Sequence, residues 1–193
     1  MRTSKNSPVS KLNWAVELGC LFAVLTMFGP GVAQAQESTC VNVGFASAKP
    51  SDEIDIPLTF SGAEGTSANA LTAHVSFPSN ILTFTTAERA LAAELADAEV
   101  KATAAQDKNN KDLSVLEVNI AGKSCIKPGI VAYMKFKVSK DAKKGELKLD
   151  LVDSSAKGCE DKPLELAKGD SGSVTLFNMD EEIPVVGCFF FTH

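Results

Sequence analysis

The sequence predicts an all-β fold: a nine-stranded, antiparallel-dominated β-sandwich of jelly-roll type, with one short helix after the fourth strand. Three observations predict it. Short runs alternate apolar and polar residues with a period of two, and side chains in a strand point to opposite faces in turn, so each run buries one face and wets the other. Clusters of Pro, Gly, Ser, Asn and Asp separate these runs at regular intervals, which is turn chemistry. Only one stretch, 87–97, has the composition of a helix. Many short strands with turns between them build a sandwich; an all-β barrel fits the same strand list.

Residues 1–35 stand apart from these elements. Arg2, Lys5 and Lys11 give a positive start, Leu18 to Phe28 an apolar run, and Ala33-Gln34-Ala35 a small-residue site. Those are the parts of a secretory signal peptide. The apolar run is too short to span a bilayer. Cleavage is expected after Ala35, which leaves a domain over 36–178 and a tail over 179–193. Gly19-Cys20 does not make a lipoprotein signal, because the apolar stretch follows the cysteine and Glu17 stands three positions before it. The expected location is secreted, extracellular or periplasmic, with no stable membrane span once the signal is removed.

The first strand is Val41 to Phe45. Lys49-Pro50-Ser51-Asp52-Glu53 turns the chain into the second, Ile54 to Phe60. Pro57 lies inside that run and cannot donate to a ladder, so the strand is expected to be an edge or bulged there. In the third strand Leu71, Ala73, Val75 and Phe77 share one face, and Thr72, His74 and Ser76 the other. Pro78-Ser79-Asn80 turns into the fourth strand at Ile81, Leu82 and Phe84. AERALAAELAD at 87–97 follows, rich in helix formers, with Thr85 or Thr86 as the expected cap. The fifth to ninth strands are Glu99–Ala104, Leu113–Ile120, Gly129–Val138, Leu147–Leu151 and Ser173–Phe177.

Composition excludes several functions. The net charge is −5, the pI near 5.1, and no basic cluster exists; a nucleic-acid surface needs dense Lys and Arg to displace phosphate counterions. Catalysis needs positioned acids, bases or nucleophiles. The only histidines are His74, on the outward side of a strand, and His193. Asp150, Asp153, Glu160 and Asp161 lack the fixed spacing of a calcium loop, and no Cys-x-x-Cys pair suggests zinc. No cofactor and no metal are expected.

The order of elements resembles a cohesin domain over roughly residues 40–177. CVNVGFASAKPSDEIDIPLTF is similar to its opening two strands, and ALTAHVSFPSNILTF to its third and fourth. GIVAYMKFKVSKDAKKGELKLDL resembles the seventh and eighth, and GDSGSVTLF the last. Phe77 stands where the family has an Asp before the proline turn. The resemblance implies a non-catalytic binding module whose partner is a dockerin-like protein module; dockerins hold their own calcium, and the cohesin supplies none. Two alternatives stay open. One is a carbohydrate-binding domain of the same architecture, retaining polysaccharide and linked to its breakdown. The other is a secreted structural or envelope protein. Sugar binding is disfavoured by the lack of a row of exposed aromatics, since Trp14 lies in the signal and Tyr133 is the single tyrosine.

In the cohesin fold the third, fifth, sixth and eighth strands form one exposed sheet. Strand alternation then turns Thr72, His74 and Ser76, Lys101, Glu117 and Asn119, and Lys148 and Asp150 toward a partner. Cysteines in an exported chain are available for disulfides. Cys125 and Cys159 flank the seventh and eighth predicted strands and would bridge if their loops share one end of the sandwich. In the cohesin topology the first and last strands run side by side, which implies that Cys40 and Cys188 staple the termini. The tail, DEEIPVVGCFFFTH, carries three consecutive phenylalanines, a docking or aggregation liability.

Overall fold

A computed structural model describes residues 38–160 and 162–183. Eleven strands and one short helix follow in the order β1 (Cys40–Val43), β2 (Phe45–Ala48), β3 (Glu53–Ser61), β4 (Ala68–Pro78), β5 (Leu82–Arg89), α1 (Leu91–Leu95), β6 (Glu99–Gln106), β7 (Leu113–Ile126), β8 (Gly129–Val138), β9 (Gly145–Gly158), β10 (Pro163–Leu164) and β11 (Gly172–Leu176). One sheet has the order β1-β3-β8-β5. The other runs β2-β11-β9-β4-β7-β6, with β10 against β9. Every pair is antiparallel except β2 with β11. The expected antiparallel-dominated sandwich is therefore present.

Eleven strands replace the expected nine for local reasons. The first predicted strand divides at Gly44, where the chain leaves β3 in one sheet and joins β11 in the other. The Gly44 N–H bonds to the Pro57 carbonyl at 2.8 Å. A Cβ at Gly44 would lie 2.5 Å from Pro57 Cγ, so the crossing needs glycine. β10 is a two-residue addition. Pro57 sits where the sequence places it: β1 pairs with β3 only from Leu58 onward, so at Pro57 that side of β3 is an edge.

The helix is shorter than 87–97 and starts later. Residues 87–89 belong to β5, which pairs with β8 as far as Arg89. Thr85 and Thr86 do not cap α1; its N-cap is Ala90, with no side-chain hydrogen bond. Pairing in the sheet outcompetes the helix propensity of the first residues. Asp97 ends the helix with φ 46°, a left-handed position that Asp tolerates. Lys123 Nζ donates to Asp97 Oδ2 at 2.7 Å and Arg89 lies 3.6 Å from Oδ1. The bond from Lys123, more than any other contact, holds the Asp97 carboxyl below its ordinary value.

The core lies between the two sheets. Ile56, Leu58 and Phe60 of β3, Met134 and Phe136 of β8, and Leu116 and Ile120 of β7 are fully buried. Phe136 stands edge-on to Phe77 at 5.0 Å and to Phe84 at 5.7 Å. Side chains of this size each contribute about 1.5–3 kcal/mol on burial. No charged or polar side chain is buried among the described residues.

Candidate docking face

β9, β4, β7 and β6 lie side by side in that order, so the four strands expected to share a sheet do share it. Leu71, Ala73, Val75 and Phe77 of β4 are buried, and Thr72, His74 and Ser76 between them face outward. Register then assembles the rest. Asn119 of β7 faces Thr72 on one side and Lys101 of β6 on the other. Glu117 faces His74, and Asp150 of β9 faces Ser76. Lys148 lies further along β9, opposite Ser173 of β11. All eight expected residues stand on one outward surface.

The centre of this surface is a connected polar ladder. The Thr72 hydroxyl donates to Asn119 Oδ1 at 2.8 Å. Asn119 Nδ2 donates to Glu117 Oε1 at 2.8 Å. Glu117 Oε2 lies 4.0 Å from His74 Nε2. Each bond crosses or climbs between neighbouring rungs, which fixes rotamers that solvent would otherwise leave free. At the rim, Lys101 pairs with Glu99 at 3.0 Å and Lys148 with Asp150 at 2.5 Å. Ser171 Oγ lies 3.4 Å from Asp150 Oδ1 and accepts the Leu151 N–H at 3.1 Å. Among the described residues no group of three His, Cys, Asp or Glu side chains is placed to hold a metal ion.

The face is larger than sequence alternation shows. Asp153 faces His74 and Ser155 faces Thr72, both from β9 beyond the predicted end at Leu151. A register shift between His74 and Val75 leaves Val152 over, 61% exposed. This bulge breaks the two-residue period, so alternation read from Leu147 ends at Leu151, seven residues before the end of β9. Val115 opposite Ser76 and Thr103 opposite Glu117 complete the surface.

Cys125 and Cys159 form a disulfide with Cα atoms 5.6 Å apart. Cys125 lies within β7 and not in the loop before β8, because β7 continues to Ile126. Ala68, at the start of β4, pairs with Ile126 on one side and Gly158 on the other. The disulfide thus joins the two strands that flank β4, at one end of the docking sheet. Among the described residues Cys40 has no disulfide partner, and its sulfur accepts a hydrogen bond from Asn42 Nδ2 at 3.4 Å. Its expected partner, Cys188, lies outside the described residues, as do the expected signal segment and the expected cleavage after Ala35.

With the geometry in place, comparisons with known proteins bear on it. A family model described as "Cohesin domain" matches residues 39–175. Among solved structures, the OlpA cohesin of a type I cohesin–dockerin complex from Clostridium thermocellum is similar at a TM-score of 0.61. It is 14% identical, over 72% of this chain and 99% of that one. A non-cellulosomal cohesin from the archaeon Archaeoglobus fulgidus has a TM-score of 0.56 and 17% identity, over 74% and 94% of the two chains. The seventh ScaB type I cohesin from Pseudobacteroides cellulosolvens has 0.53 and 18%, over 79% and 99%. No curated protein matches the sequence.

Proposed function

The chain belongs to the cohesin domain family, and from that premise we propose that it is an exported, non-catalytic docking module. Its β9–β4–β7–β6 face receives a protein partner of dockerin type, at the cell surface or outside the cell. The observation that carries this reading is the hydrogen-bonded ladder of Thr72, Asn119 and Glu117, with His74 beside it, at the centre of that face. Side chains already held in one rotamer lose little entropy on binding, and the charged pairs at the rim steer approach and fix register. These groups satisfy one another on an open sheet; a catalytic site instead gathers titratable groups in a cleft. Similar cohesins are seen in complexes with dockerins, which supports the partner class. Export is supported by the disulfide between Cys125 and Cys159, which persists in oxidising compartments.

Calorimetric titration of the chain with a panel of calcium-loaded dockerin-type modules tests the reading, with a polysaccharide panel as the second arm. One-to-one binding to a module, weakened when the face is altered, is expected. Retention on polysaccharide with no module bound would sink the proposal. N-terminal sequencing of the protein recovered outside the cell is expected to begin at Gln36, and an intact Met1 would refute export.

A further inference from the structure

Beside α1, where the end of β7 meets the start of β8, lies an apolar groove that none of the docking residues lines. It has a volume of about 900 Å³, and Leu91, Leu95, Pro128, Ile130 and Tyr133 are among its lining residues. Leu91 and Leu95 are 68% and 79% exposed, whereas the side of α1 turned inward carries Ala92 and Ala93. The helix therefore buries its small residues and shows its large ones. Residues four apart lie on one helical face, so the two leucines form a single apolar edge. An exposed apolar patch of this kind marks a surface that something covers.

The chain itself supplies a candidate. After Ile183 come Pro-Val-Val-Gly-Cys-Phe-Phe-Phe, residues 184–191. The point from which they depart is fixed: Lys49 Nζ donates to the Met179 carbonyl at 3.1 Å, and Lys144 pairs with Glu181 at 2.6 Å. Lys49 also adjoins the far end of β8, because its N–H bonds to Asp52 Oδ2 and the Val138 N–H bonds to the Asp52 carbonyl. From Val138 back along β8, Tyr133 is five residues away and Ile130 eight. At about 3.3 Å per residue that is roughly 17–26 Å. Phe189 to Phe191 lie six to eight residues beyond Ile183, a reach of about 20–29 Å. The span of the tail matches the distance to the groove.

We propose that residues 184–191 of the same chain run over the outer side of the four-stranded sheet and seat Phe189–Phe191 in the groove beside α1. The acidic residues Asp180 to Glu182 stay at the Lys49 and Lys144 end. Tethering keeps the local concentration of the segment at about the millimolar level, so modest apolar contact suffices.

The full chain tests this with two sets of substitutions. One is Phe189→Ser, Phe190→Ser and Phe191→Ser together. The other is Leu91→Asp with Leu95→Asp, at exposed positions where the fold is not at stake; circular dichroism checks that both variants are folded. Amide exchange in 89–96 and 128–133 is expected to quicken at least tenfold in the phenylalanine variant. Chymotrypsin cleavage after Phe189–Phe191 is expected to quicken at least tenfold in the leucine variant. Both effects should be independent of protein concentration, with the chain monomeric in sedimentation. Equal exchange and cleavage in all three proteins would overturn the proposal. So would protection that disappears on dilution alongside a dimer, since the occupant would then be a second copy.

Discussion

Removing the disulfide is the most quantitative perturbation the structure offers. The Cys125→Ser, Cys159→Ser double variant leaves no orphan thiol at the site. The two cysteines are 34 residues apart. Closing a loop of that size in the unfolded chain removes about 12.6 cal/mol/K of entropy, or about 3.8 kcal/mol at 25 °C. That is a large part of the roughly 5–15 kcal/mol that holds a domain folded. Because the bridge joins the strands on either side of β4, the loss has a local signature as well. Ala68 pairs with Ile126 and Gly158, so the amides from Ala68 to Leu71 should exchange faster before the sheet as a whole does. Urea unfolding of the variant against the parent under non-reducing conditions measures the global term. A loss of about 3–4 kcal/mol is expected, and a shift in thermal midpoint on the order of 10 °C. A loss below about 1 kcal/mol with an unchanged denaturant slope would refute the entropic argument. Unchanged exchange at Ala68 to Leu71 would refute the local one.

Three further outcomes follow from particular contacts. Phe136→Ala removes a fully buried ring that stacks edge-on with Phe77 and Phe84, and should cost about 3–5 kcal/mol in the same urea titration. Asp97 has its pKa lowered in the folded chain, so the stability it contributes is present above its ordinary value of 3.8 and is lost as pH falls below it; Asp97→Asn should lower stability slightly at neutral pH, flatten that acid limb, and leave stability at the acid end of the titration nearly unchanged. Asn119→Ala cuts the ladder at its middle on a solvated surface, so stability should shift by less than about 0.5 kcal/mol, while affinity for a protein partner falls at least tenfold, about 1.4 kcal/mol, in calorimetry.

Period-two alternation made the core side of β4 and the outward side of the docking sheet readable, because a strand packed on one face has no freedom in its parity. Thr72, His74 and Ser76 follow from Leu71, Val75 and Phe77 alone. What alternation cannot show is where backbone geometry departs from the period. The chain crosses between sheets at Gly44 because of its close approach to Pro57, a contact between residues in separate strands. The bulge at Val152 hides Asp153 and Ser155, which complete the face. Residues 87–89 read as helix by propensity, yet pair with β8, since a long-range ladder supplies hydrogen bonds that local composition does not register. The cysteine pair was legible as a condition on shared geometry, and the extension of β7 to Ile126 meets that condition by a route the predicted loops did not contain.

The docking residues and the groove beside α1 are separate surfaces, although Ser124 and Cys125 at the end of β7 help line the groove, and what separates them decides whether they communicate. Phe77 comes from the docking sheet and Phe136 from β8, which also lines the groove, and their rings meet at 5.0 Å in the core. Such a contact transmits a displacement only if the packing has a second arrangement to move into. The side chains here are fully buried on both sides, and close-packed interiors resist small deformation. Seating the tail should therefore leave the ladder of Thr72, Asn119 and Glu117 in place. Partner affinity of the Phe189→Ser, Phe190→Ser, Phe191→Ser chain should stay within about twofold of the parent, below 0.5 kcal/mol, even where exchange at α1 rises tenfold. Calorimetry with a bound module reads this directly. A tenfold change in affinity would mean that the groove belongs to the partner's footprint or that the core is bistable, and exchange at β4 and β7 separates the two. If those amides move with the tail, the core carries the signal; if they do not, the partner reaches across the edge of the sandwich to α1.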